Sequence, residues 1–90
     1  MVPNQDDVSA RIIEHVVQRL GRPVHGPVTP SAHLVRDLHL DSMESVALLA
    51  DLEDHYGVTM PVQLFQRAET LADVARGVVL ALARFEEGRP

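Results

Sequence analysis

Ninety residues make one domain with a single small core, because folding at this length buries only about 60–65% of the chain's surface. A hydrophobic content of 46% exceeds that of a disordered chain. Three aromatic residues and a net charge of -5 leave little for base stacking or for a phosphate backbone, and the lack of cysteine excludes disulfides and thiolate zinc sites.

The first residues, Met1 to Asp7, have no basic start and no apolar stretch, and no apolar run approaches the length of a membrane span. The expectation is a cytoplasmic chain without signal peptide or membrane helix. It forms one domain over residues 1–90, with a core from about 5 to 84 and frayed ends.

Asn4 is placed to cap a first helix whose opening turn carries Asp6 and Asp7. Val8, Ile12, Ile13, Val16, Val17 and Leu20 recur at helical spacing, and Gly21 and Pro23 end the run. A long connection follows to about residue 40, with Pro23, Gly26, Pro27 and Pro30. Loops of this length in a small domain either pack or work. Leu34, Val35, Leu38 and Leu40 are expected to tuck its second half onto the core.

Asp41 opens a second helix, and Glu44 stands at the spacing of a capping box. Val46, Leu48, Leu49, Leu52 and Tyr56 supply the apolar face, and Gly57 is a left-handed stop. Val58 and Met60 lead to Pro61, which suits the first turn of a short helix reaching about Arg67, anchored by Leu64 and Phe65. Thr70 and Asp73 form a second cap-like pair. Leu71, Val74, Ala75, Val78, Val79 and Leu82 then give the clearest amphipathic pattern in the chain. No stretch alternates with period two. The expected fold is all-α: a four-helix bundle with three main helices, a short third helix and a long first loop.

Charge is unevenly spread. From Asp37 to Gln66 there is neither Lys nor Arg, yet six acids fall there: Asp37, Asp41, Glu44, Asp51, Glu53 and Asp54. The remainder holds seven acids against eight arginines, so the whole net charge comes from this segment. A serine, Ser42, opens its helical part. A hydroxyl beside a concentrated negative field suggests a docking site for basic partners, although Asp and Ser also cap helices for purely structural reasons. His39, Asp41 and Ser42 are too close in one loop to form a hydrolytic triad, which is assembled from distant segments. His15, His25, His33, His39 and His55 show no paired ligand spacing, so surface or loop roles outweigh metal binding.

The run Leu34-Val-Arg-Asp-Leu-His-Leu-Asp-Ser-Met43 resembles the segment leading to the modified serine of acyl carrier proteins. The likeness continues through Leu52-Glu-Asp-His-Tyr-Gly-Val58, Met60-Pro61 and Thr70-Leu-Ala-Asp-Val74, covering roughly residues 8 to 83. The resemblance implies that Ser42 is esterified to 4'-phosphopantetheine by a phosphopantetheinyl transferase. It implies that Asp41 helps bind Mg2+ in the transferase complex, with no permanent metal on the carrier. The arm's thiol would hold acyl groups as thioesters, and the cysteine-free chain would offer no competing thiol. Met43, Glu44, Val46, Ala47, Ala50, Glu53 and Asp54 would form the docking face for acyl-loading and acyl-processing enzymes with basic patches. Such a protein is a monomeric carrier and not an enzyme, and it binds neither nucleic acid nor membrane.

Three positions depart from the family pattern. His39 stands where Gly is frequent, Ala47 where many members carry an acid, and Val62-Gln63 where acids are frequent. These favour a carrier of polyketide, fatty-acid-like or other specialised biosynthesis. The alternatives are a peptidyl carrier of a nonribosomal pathway and an unmodified helical interaction module.

Overall fold

The computed structural model describes residues 3–19, 28–60 and 63–87. Four helices follow in order: α1 (Gln5–Arg19), α2 (Ser42–Tyr56), α3 (Gln63–Arg67) and α4 (Leu71–Glu87). They form the expected all-α bundle, in which α1 packs most extensively on α4 and less so on α2, and α3 rests on α4.

The starts of α1 and α4 are capped by side chains. Asn4 Oδ1 accepts the Asp7 amide at 2.8 Å, satisfying a first-turn donor that the helix cannot. Thr70 Oγ1 accepts the Asp73 amide at 3.2 Å, and Asp73 Oδ2 reaches back to the amides of Thr70 and Glu69 at 3.1 and 2.9 Å. At the end of α2, Gly57 takes the left-handed conformation, φ 69°, and its amide reaches the Glu53 carbonyl. Leu20, Gly21, Pro23 and Pro61 fall outside the described residues.

The core gathers Val8, Ile12 and Val16 from α1, Leu48, Leu49 and Leu52 from α2, and Leu71, Val74, Ala75, Val78 and Leu82 from α4. Leu34 and Leu38 from the first loop and Val58 and Met60 from the second complete it. Three expected core residues face solvent instead. Val17 is exposed because Val16 already occupies the inward position and the next residue lies about 100° round the helix. Val35 is turned out by the tight bend in which Leu34 and Leu38 point inward, and Val46 lies outside the buried arc of α2. Leu64 and Phe65 have side chains outside the described set.

The long loop is anchored by backbone bonds. Leu34 N–H donates to Glu69 O at 2.8 Å, Leu71 N–H to Ala32 O at 3.1 Å and Ala72 N–H to Pro30 O at 2.8 Å. The segment leading into α2 is thereby fixed to the start of α4.

Candidate functional site

The site is built from the end of that loop and the first half of α2. His33 organises the bend. Its Nδ1 accepts the amides of Val35 and Arg36, both at 3.1 Å, and its own amide donates to Asp37 Oδ2 at 2.7 Å. The carbonyls of Val35 and Leu34 then receive the amides of His39 and Leu40. His39 has φ 54° and is the one described non-glycine residue with positive φ. This is the angle that Gly adopts freely, and His meets it at some steric cost. The reversal lets Leu38 and Leu40 turn toward the core on either side of an exposed His39.

Asp41 is the N-cap of α2, in extended backbone at φ -88° and ψ 178°. Its Oδ1 accepts the Glu44 amide at 2.7 Å, and Glu44 Oε1 accepts the Asp41 amide at 3.1 Å. This reciprocal box fixes the entry angle of the chain. Ser42 is therefore the first helical residue, exposed, with its hydroxyl at the positive end of the helix dipole. The amides of Ser42 and Met43 have no intrahelical acceptor, so they are available to an anion beside the hydroxyl.

The predicted docking residues divide by face. At about 100° per residue, Met43, Val46, Ala47, Ala50 and Asp54 share the outward arc, and all five are exposed. Met43 stands out at 80% exposure and Val46 at 61%. Next to the serine, Ser42, Met43 and Val46 line an open depression of about 280 Å³. Glu44 and Glu53 lie on opposite flanks and are half-buried. Glu53 Oε2 accepts the Met60 amide at 2.8 Å, tying the segment after α2 to the helix.

The acidic stretch is thus mostly occupied with its own fold. Asp37 caps the His33 turn, Asp41 and Glu44 cap α2, and Glu53 holds Met60. Asp51 faces α1, with Arg11 at 3.3 Å and His15 Nδ1 at 3.4 Å. Asp54 alone among the six has no hydrogen-bond or ion-pair partner among the described residues. Nearby Tyr56, in edge contact with His55 at 4.7 Å, has its phenol pushed above the usual range by burial, partly offset by the Arg11 charge. The His33–Asp37 bend and the Arg11–His15–Asp51 contact escaped the sequence reading. The first had a local signal, a carboxylate four residues after a loop histidine. The second had none, since Asp51 lies 40 residues from Arg11 and in a different helix.

The family of phosphopantetheine attachment sites matches residues 10–78, which contain this whole arrangement. The chain belongs to the acyl carrier protein family. Acyl carrier proteins of Rickettsia massiliae, Rickettsia africae and Rickettsia felis are each 27% identical to it over 71 residues, 79% of this chain and 81% of each relative. Membership implies a 4'-phosphopantetheine prosthetic group. The residues fit one: an exposed hydroxyl, two unpartnered amides of the first turn, and a helix end that favours a phosphodiester. No described helix of this carrier is long and apolar enough to cross a membrane.

Proposed function

We propose that Ser42 carries the 4'-phosphopantetheine arm and that this protein moves acyl intermediates, held as thioesters, between enzymes of polyketide, fatty-acid-like or other specialised biosynthesis. The observation that carries the reading is the exposed hydroxyl of Ser42 at the first turn of α2, within the region matched by the family. In the attachment step the Ser42 Oγ–phosphorus bond forms, the pyrophosphate bond of coenzyme A breaks, and 3',5'-ADP leaves. Asp41 is suited to assist the transferase's Mg2+ ion, because only its Oδ1 is used in the cap. The arm supplies a terminal thiol when bound, and the chain itself catalyses nothing.

Met43, Val46, Ala47, Ala50 and Asp54 form the face that partner enzymes meet, with Glu44 and Glu53 at its edges. The carrier acts as a cytoplasmic monomer, binds no nucleic acid, and is modified by a phosphopantetheinyl transferase. His39 and Ala47 support a specialised pathway over a housekeeping one. Incubation with coenzyme A and a broad-specificity transferase should add one phosphopantetheine by intact mass, and Ser42→Ala should abolish the adduct. A wild-type chain that stays unmodified with several transferases overturns the assignment.

A further inference from the structure

An open groove of about 380 Å³ runs between α3 and α4, walled by Arg67 and Ala68 on one side and by Asp73, Arg76, Gly77 and Leu80 on the other. At about 100° per residue, these α4 positions lie opposite the buried stripe of Leu71, Val74, Val78 and Leu82. The groove shares no residue with the depression formed by Ser42, Met43 and Val46.

Its charge is opposite to that of the serine's segment. Between Arg67 and Arg84 three arginines meet two acids, Glu69 and Asp73, a net of +1, whereas residues 37–66 hold six acids and no Lys or Arg. Asp73 is already engaged by the amides of Glu69 and Thr70 and by Arg76 at 3.3 Å. Arg67 and Arg84 are exposed and have no ion-pair partner among the described residues. Arg76, Leu80 and Arg84 recur every four residues on α4, and Leu80 is 55% exposed. The outer stripe of α4 is therefore an aliphatic side chain between two guanidinium groups, about 12 Å apart along the helix axis.

We propose that the α3–α4 groove is a second docking site and that it takes an acidic amphipathic helix of a partner protein. Charge and spacing select this occupant. A helix with an aliphatic residue midway between two carboxylates repeats the stripe of α4 with the charges reversed, and guanidinium groups pair with carboxylates in a directed, two-bond geometry. Ala68 and Gly77 leave the groove shallow and apolar beside Leu80, so the aliphatic group has a surface to cover. Glu69, exposed at the start of α4, repels an acid there and directs the carboxylates toward Arg76 and Arg84. A helix held in this groove leaves Ser42 exposed, and the inference does not depend on Ser42 bearing the arm.

The test titrates the full chain with a synthetic helical peptide of roughly 16 residues, Ala- and Gln-rich, with one central Leu and a Glu four residues to either side. Amide NMR should show Ala68, Gly77 and Leu80 shifting while Met43 and Val46 stay in place. A peptide with Gln for both Glu should bind at least about fivefold more weakly, the loss of two exposed charge pairs. Arg84→Glu, checked for helix content by circular dichroism, should weaken the Glu peptide by a similar factor. Replacing one Glu of the peptide by Lys, at each end in turn, should restore binding to that variant at one end only. Equal binding of the Glu and Gln peptides, shifts centred on Met43 and Val46, or no shift at about 1 mM peptide overturns the proposal. Groove shifts that grow with protein concentration in the absence of peptide assign the groove to a second copy of the chain and overturn the partner helix.

Discussion

At His39 a side chain occupies a backbone angle made for glycine, φ 54°. A left-handed non-glycine residue costs roughly 1–2 kcal/mol, and a β-branched residue fares worse than His. Glycine removes that strain but loses about 0.5–1 kcal/mol through the entropy of the unfolded chain. His39→Gly should therefore stay within about 1 kcal/mol of wild type in urea unfolding, whereas His39→Val should lose about 1–2 kcal/mol. Equal stability of the two variants would show that the bend relaxes freely. The sequence identified the position as unusual, and the structure gives its setting: exposed His39 takes the left-handed angle at the end of the bend, between buried Leu38 and half-buried Leu40.

Asp73 makes the same kind of local contribution at the start of α4. The amide of Glu69, then that of Thr70, hold its carboxyl below the ordinary range, helped by the Thr70 hydroxyl and Arg76 and opposed by desolvation. A carboxyl whose folded pKa is lowered stabilises the fold above its unfolded pKa and loses that contribution as pH falls through the folded value. Wild type should exceed Asp73→Asn by about 0.3–1 kcal/mol at pH 7, and the gap should close below about pH 4. A gap that does not change between pH 7 and pH 3 would mean that shape, not charge, sets the cap.

At the scale of elements, α2 opens with the proposed attachment residue Ser42 and divides its faces between core and solvent. Its capping box and glycine stop are local patterns, readable because donor and acceptor lie within a few residues of each other. Which acids remain free is not a local matter. Asp51 and Glu53 differ by two positions, yet one faces α1 and the other holds the next segment. What remains outward is a mainly apolar strip with the one carboxylate of Asp54. Contact with a partner should therefore depend more on Met43 than on charge. Met43→Asp should slow modification by a broad-specificity transferase more than Asp54→Lys does, compared as kcat/KM at two salt concentrations. A larger loss for Asp54→Lys, relieved by salt, would restore an electrostatic face.

Across the whole molecule, α1 joins α4 through a broad apolar contact and α2 through a narrower one that includes Arg11, His15 and Asp51. Arg11 Nε is buried without a partner, so its guanidinium relies on Asp51 for compensation. Asp51→Ala should destabilise the fold by about 1–2 kcal/mol, and the loss should be smaller in an Arg11→Ala background when measured as a double-mutant cycle. Strict additivity would show that the pair contributes nothing. The sequence by itself determined the main helices, the caps of α1, α2 and α4, the left-handed stop at Gly57 and the serine at the head of α2, because each depends on side chains and backbone groups within one or two turns. Only the tertiary structure decided which valines leave the core, which carboxylates are engaged, and which face of α4 stays open beside α3. Those outcomes depend on where distant segments meet, and neither periodicity nor composition specifies that geometry.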